Sequence, residues 1–219
     1  CRPAANLDKF YHLSDTERAA LRDKAGIAPD AFVLGTAAAN QGRKSIPQMI
    51  KAFNDFAKDK PNARYILDMD KVSPVGWDIP SMCQQFGWDL SKLIFREDLL
   101  KQGIYELRER YALMDAHAVL SHREGWGLPL VEAMCCGVVS MAIDWCSGTE
   151  IVGDGKGVLV KPVKAYDEPV TLVSTWGNAL DYIADEHDFA AQLQNLYVHP
   201  HERKAIAERG MKWSRSFTW

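Results

Sequence analysis

Apolar runs of strand length recur along this chain at Ala31–Ala37, Arg64–Leu67, Lys92–Phe95, Ala116–Leu120, Val138–Ile143 and Gly157–Val160, with amphipathic stretches between them. Ile46, Met49, Ile50 and Phe53 fall on one helical face, and so do Leu107, Tyr111 and Met114. Strands that alternate with helices predict βαβ units and a parallel sheet covered on both faces. The expected fold is therefore α/β, a Rossmann-like doubly wound sheet of about six strands with C-terminal helices. With 219 residues, 47% of them apolar, the chain can bury a sizeable core. Residues 1–30 read as a lead-in with one helix over roughly Ser14–Ala25, opened by the capping-box spacing of Ser14 and Glu17 and closed by Gly26 and Pro29. From Tyr166 onward no further strands are expected. Asp167–Thr175 reads as a surface loop, and two helices follow at roughly Gly177–Leu196 and Pro200–Phe217.

Charge and cysteine usage narrow the function classes. A net charge of -3 argues against binding driven by nucleic acid or membrane electrostatics. No apolar run approaches the roughly 20 residues of a spanning helix, and no signal-peptide pattern is present. The five cysteines form no C-x-x-C pair, and an odd count fits a reduced, cytoplasmic protein. Cys135-Cys136 read as small apolar residues on a helix rather than nucleophiles. The chain starts at Cys1 and ends at Phe217-Thr218-Trp219 directly after a helical pattern, so it reads as a fragment of a longer protein.

Ligands of an open parallel sheet sit beyond the carboxyl ends of its strands, so the residues following each run carry the functional information. The stretch Glu124-Gly125-Trp126-Gly127-Leu128-Pro129-Leu130-Val131-Glu132 is the richest. It reads as a strand-to-helix junction, with Pro129 suited to the first helical position and glycines that let a backbone approach a ligand. Free N–H groups and the helix dipole make such a junction an anion site. Glu132 then lies about one turn into the helix, able to take a vicinal diol, while Glu124 faces what lies beyond the phosphates. Each glutamate alone could be a loop acid or a helix-dipole partner; together around Gly-Trp-Gly-Leu-Pro they point to a site.

The other strand ends are weaker. Ala38-Ala39-Asn40-Gln41-Gly42-Arg43-Lys44-Ser45 follows the first run; its Arg and Lys suit a diphosphate, although it matches neither the P-loop nor the G-x-G-x-x-G pattern. A solvated basic helix start is the plainer alternative. Asp68-Met69-Asp70 follows the second run; D-x-D is a metal signature of some sugar transferases, but no third ligand is evident and no metal is expected. Arg96-Glu97-Asp98 could border a base pocket or be a polar loop. His122 and Arg123 adjoin Glu124, and His122 is a candidate for sugar or phosphate contact. Ser147-Gly148-Thr149-Glu150 could present backbone N–H groups or simply cap a helix.

The segment Glu124 to Gly137, E-G-W-G-L-P-L-V-E-A-M-C-C-G, resembles the E-G-F-G-L-P-x-x-E-A-M-A-C-G pattern of GT-B glycosyltransferases of the large retaining family four, also called glycosyl transferases group 1. Tyr111 to Ala116 resembles that family's Y-x-x-A-D segment, Val138 to Glu150 its following strand and G-x-x-E turn, Gly153 to Pro162 its G-x-G-x-L-V-x-P strand, Phe217-Thr218-Trp219 its F-x-W helix start, and Asn6 to Phe10 its interdomain linker. The resemblance implies that residues 31–219 are the C-terminal, nucleotide-sugar (donor) binding domain of a transferase acting with retention. Residues 1–30 would be the interdomain linker and lead-in helix, and an N-terminal acceptor domain would be absent.

The resemblance also assigns roles. Glu132 would hold the ribose, Glu124 the donor sugar, and the backbone of Gly125, Trp126, Gly127, Leu128, Pro129 and Leu130 the diphosphate and sugar. Lys44 with Arg43 would neutralise the leaving diphosphate, without metal or other cofactor. The partners implied are a UDP- or GDP-linked sugar and, through the other domain, a glycan, lipid or protein acceptor. One departure stands out: the family places an arginine after its first strand, six residues before its lysine, where this chain has Ala38. Arg43 or Asn40 is the substitute to test. Two rival readings keep the fold: a nucleotide-sugar epimerase, which lacks the glutamate–glycine motif, and a nucleotide-sugar binding domain without transfer activity.

Overall fold

A computed structural model describes residues 4–173 and 180–216. Its elements run α1 (Asp15–Lys24), β1 (Val33–Ala37), a 3-10 turn (Gly42–Lys44), α2 (Ile46–Phe56), β2 (Arg64–Asp68), α3 (Ile79–Phe86), a second 3-10 turn (Leu90–Lys92), β3 (Leu93–Phe95), α4 (Arg96–Lys101), α5 (Leu107–Ala112) and β4 (Ala116–Val119). They continue with α6 (Leu128–Cys135), β5 (Val139–Ile143), α7 (Ser147–Val152), β6 (Val158–Val160), β7 (Lys164–Ala165), β8 (Glu168–Pro169), β9 (Thr171–Val173), β10 (Leu180–Tyr182), α8 (Glu186–Val198) and α9 (Pro200–Ser214).

The strands β1 to β6 form one sheet in the order β3-β2-β1-β4-β5-β6, parallel throughout. This is the six-stranded, Rossmann-like α/β sheet that the alternating runs predict. The central strands β1, β4 and β5 are buried at every residue, which is why they read as mostly apolar runs, interrupted only by Thr36, His117 and Ser140. One core cluster includes Ile50, Phe53, Tyr65, Leu67, Phe189 and Leu193, joining α2 and α8 to the sheet. A second includes Ile27, Val33, Tyr111, Leu113 and Ala133 and brings α5 and α6 together with the lead-in segment. Ser14 and Glu17 cap α1 reciprocally, as their spacing predicts. β1 has β2 on one side and β4 on the other, so the strand order reverses between β1 and β4, where such sheets open a crevice. Among the described residues no helix is long and apolar enough to cross a membrane.

The C-terminal third departs from expectation. Strands do not stop at Tyr166: β7 and β8 form one small antiparallel sheet, and β9 and β10 another. Tyr166 and Asp167 make the β7–β8 turn with φ of 53° and 69°. A turn of that kind is usually announced by Asn-Gly, so Tyr-Asp gave no signal. The helix expected from Gly177 begins at Glu186, where Asp185 caps it by accepting from the N–H groups of His187 and Asp188. The earlier part of that expectation, over 177–179, lies outside the described residues, as do Phe217-Thr218-Trp219. Arg96-Glu97-Asp98 is not a loop but the first turn of α4, with Asp98 accepting from the Phe95 N–H at 3.0 Å.

Candidate functional site

A cleft of about 420 Å³ lies at the carboxyl ends of β1 and β2. Ala37, Ala38 and Ala39 line one wall, Asp68 and Arg110 another, and Pro129 and Glu132 bring α6 to the same space. Small side chains after β1 leave the cleft open beside the start of α6.

Gly127 sets that start. It is the N-cap of α6 with φ of 92°, a left-handed conformation that side chains disfavour, and an added Cβ would meet Leu130 Cδ1 at 3.1 Å. Gly125 has no positive φ and open space about its Cα, so backbone conformation does not require a glycine there. Leu128 is the first helical residue and Pro129 the second, one position later than predicted; the missing N–H of proline still falls where no intrahelical acceptor exists. The helix thus directs its positive end at the crevice.

Glu124 organises the loop before α6. Its Oε1 accepts from Lys44 Nζ, from Ser121 Oγ at 2.6 Å and from Arg43 Nη1 at 3.4 Å. Arg43 Nη1 also donates to the Arg123 carbonyl at 3.1 Å, and the His122 N–H donates to the Arg43 carbonyl at 3.0 Å. The loop after β1 and the loop after β4, far apart in sequence, are therefore laced together. Ser45, directly after Lys44, is buried with φ of 53°, a strained conformation that turns the chain into α2 and holds the 3-10 turn against Glu124. Burial works to raise the pKa of Glu124, but hydrogen bonds from Lys44 and Ser121 and the charges of Lys44 and Arg43 outweigh it, and its carboxyl lies below the ordinary value.

Glu132 has the opposite environment. Among the described residues its side-chain partner is the hydroxyl of the fully buried Tyr111, which donates to Oε2 at 3.0 Å. Burial raises its pKa and the Tyr111 bond only partly offsets the rise. Nearby, Arg110 Nε donates to Asp68 Oδ2 at 3.0 Å, both side chains being almost wholly buried.

The remaining predicted residues are placed as follows. Asn40 lines the cleft, but its amide is committed to backbone: Nδ2 donates to the carbonyls of Asp70 and Trp77, and Oδ1 accepts from the Trp77 N–H. Arg96 lines the cleft and pairs with Asp70. The two aspartates of D-x-D are thus each paired with an arginine, and no group of three or more His, Cys, Asp or Glu is suited to hold a metal among the described residues. His122 is half-buried, with burial lowering its pKa, and its Nε2 has no hydrogen-bond partner among the described residues. Trp126 packs against the cluster that holds Leu130 and Ile151. Thr149 donates to Asp144 at 2.8 Å, away from the glutamate pair.

Several members of the site carry no recognisable local signal. Tyr111 and Arg110 reach Glu132 and Asp68 across 21 and 42 residues of sequence. Ser121 was the legible one, since its S-x-x-E spacing to Glu124 matches that of a capping box. β10 also borders the site: Tyr182 packs against Trp145 in a tilted pair with ring centroids 3.9 Å apart, its N–H donates to the His122 carbonyl at 3.4 Å, and Asp181 lies 3.4 Å from Arg123.

This geometry coincides with a family match. The model of glycosyl transferases group 1 matches residues 99–176, which contain both glutamates and α6. A D-inositol 3-phosphate glycosyltransferase of Actinosynnema mirum is 27% identical over 99% of this chain and 47% of its own length. Residues 99–176 thus carry the pattern of the glycosyl transferases group 1 family. An alpha-monoglucosyldiacylglycerol synthase of Acholeplasma laidlawii is 34% identical to this chain over 59% of it and 31% of the synthase. Among solved structures, the C-terminal domain of a glycosyl transferase group 1 family protein (LpcC) from Francisella tularensis superposes with a TM-score of 0.73 at 20% identity, covering 97% of both chains. Anabaena Alr3699/HepE in complex with UDP-glucose gives 0.72 at 19% identity, over 97% of this chain and 51% of that one. The fold of this chain is that of a GT-B C-terminal domain, and the chain spans about half the length of the first curated relative.

Proposed function

We propose that this chain is the donor-binding domain of a retaining glycosyltransferase that takes its sugar from a nucleoside diphosphate. One observation carries the reading: the Lys44–Glu124–Arg43 cluster and the Tyr111-bonded Glu132 flank the N-terminus of α6 at the point where the strand order reverses. A diphosphate at that N-terminus has free N–H groups and the helix dipole on one side and two cations on the other. The ribose then falls to Glu132, which accepts from its vicinal hydroxyls, and the sugar to Glu124, with His122 close by. Arg96, at the cleft wall, borders the base.

The chemistry is departure of the nucleoside diphosphate from the anomeric carbon, with the acceptor hydroxyl entering on the same face. Negative charge grows on the leaving oxygen as that bond breaks. Lys44, Arg43 and the start of α6 are fixed where that charge develops, a preorganised arrangement that needs little reorientation during reaction. No metal is assigned a part. The UDP-glucose complex of HepE supports a UDP-linked donor, with GDP the second choice. A glycan, lipid or protein acceptor would bind across a cleft on a separate N-terminal domain, in the cytoplasm. Residues 1–30 would then be linker, and the isolated chain would bind nucleotide weakly and transfer little sugar.

Calorimetric titration with UDP, GDP and ADP tests the reading. One of the three should bind, and Glu132→Ala and Lys44→Ala should each weaken it. A folded chain that binds none would overturn the donor site, and robust turnover by the chain alone would overturn the two-domain division of labour.

A further inference from the structure

Glu132 is half-buried at the cleft wall, and one of its oxygens is already engaged. Tyr111 donates to Oε2, and its ring cannot swing away: it is fully buried, edge-on to His117 at 5.3 Å and to Phe10 at 6.1 Å between centroids. α5 ends one residue later, and the chain turns directly into β4, so the backbone of Tyr111 is fixed as well. A carboxylate on a helix has free rotation about its last torsion unless something holds it. Here a rigid donor holds one oxygen and so sets the plane and leaves Oε1 as the acceptor available to the cleft.

We infer that Tyr111 is a positioning residue for nucleotide recognition: it orients the Glu132 carboxylate so that its free oxygen receives the ribose hydroxyls. This rests on the donor-site reading given above and deepens it. Tyr111 stands in the cleft wall but is fully buried with its hydroxyl on Glu132, so its effect on a ligand runs through Glu132. Its hydroxyl also favours the ionised carboxylate against the burial that opposes it. The consequence is selective. Tyr111 matters to a ligand that carries a ribose diol and is silent for one that lacks it, whereas a tyrosine that merely supported the fold would affect both alike.

The test is a cycle with Tyr111→Phe, Glu132→Ala and the double variant. Each is titrated with whichever of UDP, GDP and ADP the chain binds most tightly, and with the 2′,3′-dideoxy form of that nucleotide. Tyr111→Phe should weaken the ribonucleotide by about 3- to 10-fold, as expected when a charge-assisted hydrogen bond is misdirected rather than removed, and should change the dideoxy form by less than about twofold. In the double variant the phenylalanine should add nothing to Glu132→Ala. Thermal unfolding of Tyr111→Phe identifies a general loss of structure, which would show as equal weakening of both ligands. Equal weakening, or no weakening, overturns the positioning role. A ribose-specific loss in Glu132→Ala without one in Tyr111→Phe overturns it while leaving the donor-site reading intact. Failure of Glu132→Ala to discriminate the two ligands, or no binding of any nucleotide, overturns the reading and this inference together.

Discussion

Lys44 and Glu124 pair directly across the loops that follow β1 and β4, and both side chains are largely buried. Ser121 and Arg43 add to the same oxygen. The carboxylate engages the cations that a diphosphate would need. Glu124 therefore both holds Lys44 in place and competes with the ligand for it. Glu124→Gln should leave affinity for a bare nucleoside diphosphate unchanged or raised, while transfer in the full-length protein is lost. Titration of the variant checks this, and a binding loss as large as that of Lys44→Ala would contradict it.

The two glutamates should respond oppositely to neutralisation. The Glu124 pKa is depressed below its ordinary 4.5, so its stabilising effect is present above about that pH and fades as pH falls through the lower native value. Glu124→Gln should cost about 1–3 kcal/mol at pH 7. The Glu132 pKa is raised by burial, so the native state favours the protonated acid, and that preference is lost as pH rises through the raised value. Glu132→Gln should increase the melting temperature at pH 7. Both differences should vanish in acid, where each wild-type carboxyl is protonated. Melting curves across pH decide the matter, and equal signs for the two variants would contradict it.

Lys44 and Arg43 differ in exposure, 11% against 47% of the side chain. A shielded cation is less screened by salt and solvent. Lys44→Ala should weaken nucleoside diphosphate binding about 10- to 100-fold, or ~1.4–2.8 kcal/mol. Arg43→Ala should cost less, and its effect should shrink further at high salt. The reverse ranking in titrations at two salt concentrations would overturn it.

Gly127 is held at φ of 92° with Leu130 Cδ1 at 3.1 Å from the position of an added Cβ. Gly127→Ala should destabilise the fold by about 1–2 kcal/mol through left-handed strain, and it should weaken nucleotide binding by moving the first N–H groups of α6. Gly125→Ala, with open space at that position, should be tolerated. Denaturant unfolding of both variants separates the two cases.

Asp68 and Arg110 form a buried pair at the cleft wall, exposed by 5% and 11%. Asp68→Ala should destabilise by about 3–5 kcal/mol because it strands a buried guanidinium. Asp68→Ala combined with Arg110→Met should recover much of that loss. A double variant as unstable as the single one would show that the pair is not what holds this wall.

The sheet was legible because β1, β4 and β5 are buried on both faces and read as apolar runs, and Glu124 and Glu132 because they lie on either side of a glycine–proline helix start. Asn40 shows the limit of such reading: its position after β1 suggested ligand contact, but its amide holds the Asp70–Trp77 turn. The pairings of Tyr111 with Glu132 and of Arg110 with Asp68 carried no local signal because each is made across 21 or 42 residues of chain. The β7–β10 strands were hidden because the Tyr166-Asp167 turn lacks the residues such turns usually use, and because strands of two or three residues are too short to show a period.

The most direct test is a crystal structure of the chain with the nucleoside diphosphate it binds most tightly. The account predicts the diphosphate at the N-terminus of α6 beside Lys44, and the ribose hydroxyls within hydrogen-bond distance of Glu132. A nucleotide bound elsewhere, or bound there with its ribose turned away from Glu132, would contradict it.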